Sequence, residues 1–173
     1  NTDRITYIEQ PAIEKIIIFL GINTFNYHTK GIVFFEKALS IIKEKYADKV
    51  DIIVTKNIAY KEYINLYNKA HILLDQVYAF DQGYNALEAM AKGKVVFTGA
   101  ESAFDDYYNL TEKVAINAKP DVAYLVNELS FLIENQHEII TIGKNAHNFI
   151  QKEHNFKVIA KHYFEKWMST IDK

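Results

Sequence analysis

The sequence predicts an α/β protein, a Rossmann-like parallel sheet with helices on both faces. Three observations carry that expectation. Short runs rich in β-branched residues recur through the first two thirds of the chain, each run is apolar throughout instead of alternating, and amphipathic segments separate one run from the next. With 173 residues, 49% of them hydrophobic and 24% charged, the chain suits one domain with an appendage and can bury a substantial core. A net charge of -2 offers no field that would gather nucleic acid or an anionic membrane. There is no cysteine, hence no disulfide and no thiolate metal site, and the cytosol is the default compartment. No run approaches the length of a membrane span, and the opening lacks the basic-then-apolar layout of a signal peptide. The chain starts on Asn1 instead of methionine and is read as a piece of a longer protein.

In order, residues Asn1 to Glu14 are polar and mixed, with Pro11 as punctuation, and read as an incoming linker or edge segment. Lys15 to Leu20, K-I-I-I-F-L, reads as a central strand ending at Gly21. A polar loop, Ile22 to Thr29, leads to Lys30-Gly31. From Ile32 to Tyr46, helical spacing of Val33, Phe34, Ala38, Leu39, Ile41 and Ile42 predicts the first long helix. Asp51 to Thr55 is a second strand, Tyr60 to Lys69 a helix with Tyr63, Ile64 and Tyr67 on one side, and His71 to Leu74 a third strand ending at Asp75. Next comes F-D-Q-G-Y-N-A-L-E-A-M-A-K-G-K-V-V-F-T-G, Phe80 to Gly99: an extended turn, a helix opened by Gly83 and closed by Gly93, and a strand from Lys94 to Thr98. Val114 to Asn117 is a fifth strand. Beyond Pro120 the chain turns wholly helical, with Asp121 to Asn135, Glu138 to Ile150 and Asn155 to Thr170, the last carrying Trp167.

Open parallel sheets bind ligands outside the carboxyl ends of their strands. The loops at Gly21 to Lys30, Thr55 to Ile58, Asp75 to Gly83 and Thr98 to Phe104 are therefore expected to line one crevice. Free N–H groups at a helix start attract anions, and Gly83 permits close approach. Glu88 lies a little over one turn beyond it and could accept hydrogen bonds from hydroxyls of a ligand whose phosphates sit at the helix start. That combination suggests a nucleotide or nucleotide-sugar site. Each residue also has an ordinary reading: Glu88 as an exposed helical glutamate, Gly83 and Gly93 as turn and cap residues, Lys30 as a solvated lysine, Asp75 and Asp81 as caps of nearby amides. Lys30 opens a helix where the dipole disfavours a cation, which makes a phosphate partner more plausible. His28 is the only histidine in the expected crevice. No histidine spacing for a metal, no G-x-S-x-G elbow and no protein nucleophile is found.

The stretch G-Y-N-A-L-E-A-M-A-K-G-K-V-V, Gly83 to Val96, resembles the signature of the C-terminal, donor-binding domain of group 1 (retaining) GT-B glycosyltransferases. Lys30-Gly31 is similar to the K-G opening the family's first long helix, and N-I-A-Y-K-E-Y-I-N-L-Y-N-K-A-H-I-L-L, Asn57 to Leu74, resembles its next helix and strand. The resemblance covers nearly the whole chain as one half of a two-domain enzyme.

It implies that Lys30 neutralises the diphosphate leaving group, that Glu88 hydrogen-bonds the ribose, and that the amides of Gly83, Tyr84 and Asn85 face the sugar and diphosphate. Asn57 and Ile58 would meet the base, with Asn23 and Asp81 completing the donor site. The departing phosphate would assist attack, with neither metal nor cofactor. Three positions depart from the pattern. The first acidic position falls on Phe80, with Asp81 one residue late; Asn23, Thr24, Tyr27 and His28 stand where an arginine usually accompanies the lysine; and Val95 replaces a proline. The implied organisation is a linker at 1–14, a donor-binding domain at 15–152, and a C-terminal helix at 153–173 that packs towards a missing N-terminal acceptor domain, through which the inner face of a membrane would be reached. The implied function is transfer of a sugar from a nucleotide diphosphate sugar to a glycan or lipid-linked acceptor, with this half alone binding donor but transferring little. A non-catalytic nucleotide-sugar-binding module and, third, an epimerase on the same plan are the alternatives.

Overall fold

The computed structural model describes residues 2–8 and 13–171, the last by its backbone only; Pro11 lies outside the described residues. Five strands form one parallel sheet in the order β2-β1-β3-β4-β5. They are β1 (Ile16–Ile22), β2 (Val50–Lys56), β3 (Ile72–Leu74), β4 (Val95–Thr98) and β5 (Ile116–Asn117). Register runs Leu20 against Val54 on one side and Leu74 on the other, with Leu74 against Phe97. The helices are α1 (Ile32–Lys45), α2 (Tyr60–Lys69), α3 (Tyr84–Ala91), α4 (Ser102–Tyr108), α5 (Val122–Glu134), α6 (Gln136–Glu153) and α7 (Phe156–Ile171). This is the parallel Rossmann-like α/β architecture expected, with most boundaries moved by a residue or two.

The unbroken apolar runs are explained by two cores. Side chains alternate across a strand, so Ile16, Ile18 and Leu20 face one layer with Ile72, Leu74, Val95 and Phe97, packed under α1 and α5. Phe19, Leu73 and Val96 face the other, where α2, α3 and α6 supply Tyr67, Ala86, Ala89, Met90 and Ala146. Each fully buried aliphatic side chain contributes about 1.5–3 kcal/mol, and neither face could be polar without losing a layer.

The structure differs locally from the sequence reading in three places. In α1 the buried stripe is Ile32, Phe35, Ala38, Leu39 and Ile42, while Val33 and Ile41 face solvent; apolar residues on two adjoining faces left the stripe's centre ambiguous. The stretch expected as a loop from Thr98 to Phe104 runs into α4, whose sequence S-A-F-D-D-Y-Y buries only Phe104 and so carries no periodic signal. The fifth strand is shorter than Val114 to Asn117, although Val114 and Ala115 are buried beside it. In the segment read as an incoming linker or edge segment, residues 2–8 hold a 3₁₀ turn, Thr2–Arg4, and run onto the back of the α3–β4 turn. There Ile8 N–H donates to Lys92 O at 3.1 Å and the Tyr7 ring packs on His147 with centroids 4.6 Å apart.

The strand order sets where a ligand can sit. The connection leaving β1 goes to β2 on one side, and the connection leaving β3 goes to β4 on the other, so the loops after β1 and β3 diverge and leave a crevice between them.

Candidate functional site

Two loops meet over that crevice. After β1 the chain forms a 3₁₀ turn, Thr24–Asn26, capped by Asn23, whose Oδ1 accepts from Phe25 N–H at 3.0 Å. Asn57, just past β2, staples this turn: its Oδ1 accepts from Thr24 N–H at 3.0 Å and its Nδ2 donates to Thr24 Oγ1 at 2.8 Å. It does so from a left-handed backbone, φ 50°, which asparagine tolerates better than most residues. Gly31 caps α1, also left-handed at φ 63°, and a Cβ there would collide with Val77 from the loop after β3. The loops are that close because Val77 N–H donates to Lys30 O at 3.0 Å.

This clamp brings Lys30 Nζ to 2.8 Å from Asp75 Oδ1. The Asp75 side chain is 1% exposed and Lys30 30%. Asn85, in the first turn of α3, donates from Nδ2 to the same Oδ1 at 3.2 Å. Its own Oδ1 accepts from Tyr63 OH at 2.9 Å, and its backbone O from Tyr67 OH at 2.9 Å. Asp75 Oδ2 is buried and has no hydrogen-bond partner among the described residues. Burial, followed by the charge of Asp75, pushes the Tyr63 phenol up to about 12, so it remains a donor to Asn85. Burial raises Tyr67 further.

Above the network lies a cleft of about 380 Å³ lined by Gly21, Ile22, Asn23, Asn26, Lys30, Thr55, Asn57, Ile58, Tyr60, Tyr63 and Asn85. Of the residues singled out from sequence, Asn23, Lys30, Asn57, Ile58 and Asn85 come together here. Gly83, Asp81, Tyr84 and Glu88 are not among the lining residues. Gly83 is the N-cap of α3, in extended backbone, with no side-chain cap bond and open space where a Cβ would be. Tyr84 is 93% and Phe80 83% exposed, flanking that helix start. Asp81 is exposed, and its backbone O accepts from Gln76 Nε2 at 3.3 Å. Glu88 lies four residues past Tyr84 on α3, with its Oε1 2.7 Å from Lys92 Nζ. Lys92 also donates to Asn68 Oδ1 at 2.8 Å and sits over the Tyr67 ring. Glu88 and Tyr84 border a separate recess of about 260 Å³ against Leu87, Ile150, His154 and Ile159. His28 stands edge to face against Tyr27 and is not a lining residue.

From the sequence alone, Asp75 is as readily a cap as a ligand contact, and Tyr63 reads as a packing residue. The signal for both was thin: an aspartate after a three-residue strand, and a tyrosine on the apolar side of a helix. Their partners are 45 and 22 residues distant.

Chemically, the cleft presents one cation held by a buried carboxylate, amide-bearing asparagines, and beside it a helix N-terminus that no side chain caps. Such a set suits an anion carrying hydroxyl and amide groups. The model for the family described as glycosyl transferase-like matches residues 26–165, a span that includes Lys30, Asp75 and α3. The chain belongs to that family. Among solved structures, this glycosyl transferase-like chain is similar to sucrose-phosphate synthase from Thermosynechococcus elongatus, with a TM-score of 0.67 and 18% identity over 99% of this chain and 51% of that one. It is similar to S. aureus TarM, in a mutant form in complex with fondaparinux, alpha-GlcNAc-glycerol and UDP, with a TM-score of 0.65 and 13% identity over 97% of this chain and 37% of that one. The C-terminal domain of the group 1 glycosyl transferase LpcC from Francisella tularensis aligns with a TM-score of 0.59 and 16% identity, over 82% of this chain and 87% of that one. The fold is therefore that of the C-terminal half of a GT-B glycosyltransferase, and the chain spans about half the synthase and a little over a third of TarM. No curated protein sequence matches it. No helix among the described residues is long and apolar enough to cross a membrane.

Proposed function

We propose that the chain is the donor-binding domain of a glycosyltransferase, taking a nucleotide diphosphate sugar at the β1/β3 crevice and passing the sugar to a glycan or lipid-linked acceptor held by a domain preceding it. The observation that carries this reading is Lys30 fixed at the mouth of the switch-point crevice, beside an α3 N-terminus without a side-chain cap. The diphosphate lies against Lys30 and the first-turn amides at Gly83, Tyr84 and Asn85, where the cation and the helix dipole stabilise charge developing on the leaving group. Asn57 and Ile58 meet the base, Asn23 and Asp81 reach hydroxyls of the donor, and Glu88, one turn beyond Asn85, accepts from the ribose. A UDP-containing complex of the structurally similar TarM supports the ligand class. Neither metal nor cofactor enters the scheme.

α7 supports the two-domain organisation. Tyr163, Phe164, Trp167 and Met168 are exposed along it, an apolar face suited to the preceding domain. The linker at 1–14, the domain at 15–152 and the crossing helix at 153–173 complete this organisation, and a cytoplasmic location, at the inner face of a membrane through the acceptor domain, accords with it. The chain joined to its natural preceding domain, incubated with nucleotide sugars with and without glycan or lipid-linked acceptors, tests the activity. Acceptor-dependent release of nucleoside diphosphate is expected. An isomerised nucleotide sugar formed from donor alone would replace the reading by an epimerase, and donor binding with no turnover would leave a binding module.

A further inference from the structure

Lys30 does not stand alone in the crevice: the carboxylate of Asp75 lies beneath it. Asp75 is a carboxylate at the carboxyl end of β3, its side chain 1% exposed, in a protein interior where an ionised group is costly unless paired. One oxygen takes both Lys30 Nζ, at 2.8 Å, and Asn85 Nδ2, at 3.2 Å; the other has no partner among the described residues. A carboxylate serving only as a cap would bond amides of its own loop, whereas these partners lie 45 residues before and 10 residues after it, on the two walls of the crevice.

The geometry points to Asp75 as the positioning residue of the anion site: it aims Lys30 and the first turn of α3 at one diphosphate. An ammonium group has three N–H donors. With one committed to a buried, immobile oxygen, the swing of the long lysine side chain is restricted and the other two N–H bonds are left for ligand. Asn85 is locked in the same way, its Nδ2 on Asp75 and its Oδ1 receiving Tyr63 OH. What its residue offers a ligand is thus the backbone N–H at the helix start. A lysine with an exposed tip and no such anchor would lose several rotamers on binding, an entropy cost that prior ordering removes. Asp75 touches no ligand itself and acts through Lys30 and Asn85.

This inference rests on the reading of the crevice as a diphosphate site. A double-mutant cycle on the 173-residue chain tests it, with Lys30→Ala, Asp75→Asn and the double variant titrated calorimetrically with UDP, GDP and ADP, with inorganic pyrophosphate, and with the matching nucleosides. Asp75→Asn keeps the shape and the hydrogen bonds but removes the charge; Asp75→Ser serves if it melts below the working temperature. The expected result is a loss of about tenfold for the diphosphates and pyrophosphate in Asp75→Asn, a clearly smaller further loss when it is added to Lys30→Ala, where only the Asn85 contact is left to act through, and unchanged nucleoside affinity. Equal losses in both backgrounds, parallel losses for the nucleosides, or binding as tight as in the parent would overturn the positioning role while leaving the diphosphate site standing. Failure of the unmutated chain to bind any of these probes would overturn the site and the inference together.

Discussion

At the residue scale the protein holds two lysines in opposite circumstances. Lys30 has an exposed tip and a buried partner. Lys94 is fully buried at the start of β4, where Nζ donates to Asn68 O at 2.9 Å and Ala70 O at 2.6 Å and so meets the carbonyl end of α2. Burial, with a smaller contribution from Lys92, lowers it from 10.5 to about 8. Between those values the unfolded chain binds more protons at this site than the folded one, so stability rises with pH from about 8 and the gain is lost as pH falls back through 8. Above 10 the half-buried Tyr63 and the buried Tyr67, raised from that value, reverse the trend, because their unfolded forms release protons first. Urea midpoints measured from about pH 7 to 10 are expected to climb in the parent and to stay flat in Lys94→Met. A rise of equal size in the variant would assign the dependence elsewhere. The sequence showed Lys94 only as the first residue of a strand; nothing in the string marks it as buried, because its partners are carbonyls, and every residue has one.

At the element scale, α3 carries the site's main compromise. Its N-cap, Gly83, sits at φ -73° and ψ 167°, a conformation in which serine or aspartate caps helices well, yet no side chain caps it. Gly83→Asp should stabilise the free protein by roughly 0.5–1 kcal/mol through the cap bond and the dipole, an increase of about 2 °C in Tm for a chain of this size. The same carboxylate would repel a diphosphate, and affinity is expected to fall by about tenfold or more. Melting and titration of one variant therefore move in opposite directions; higher stability with unchanged binding would place the phosphates away from α3. The helices and strands around this element were legible because period 3.6 and unbroken apolar runs survive in the sequence, and so was the turn at Gly83. The network behind it was not. Lys30, Asp75 and Asn85 meet because a left-handed glycine and a hydrogen bond from Val77 press two loops together, and neither event leaves a periodic trace. Glu88 shows the same limit from the other side: its spacing from Gly83 was readable, its ion pair with Lys92 was not.

At the scale of the whole molecule, the apolar face of α7 is the feature that the domain itself does not account for. Trp167, the one tryptophan of the chain, is 69% exposed, which makes it a reporter of what covers that face. In the 173-residue chain its emission should be that of a solvated indole, readily quenched by iodide. Joined to the preceding domain, it should shift to the blue and resist quenching. Identical quenching in the two forms would mean that α7 packs elsewhere and that the crevice works without a cleft partner there.

Binding of a nucleotide diphosphate sugar at the β1/β3 crevice through Lys30 is checked by calorimetric titration of the chain and its Lys30→Ala variant with UDP, GDP, ADP and their sugars. One nucleoside diphosphate is expected to bind in the micromolar range, and Lys30→Ala to weaken it by about tenfold or more. Binding of none of them at millimolar concentration, or equal binding by the two proteins, would contradict it.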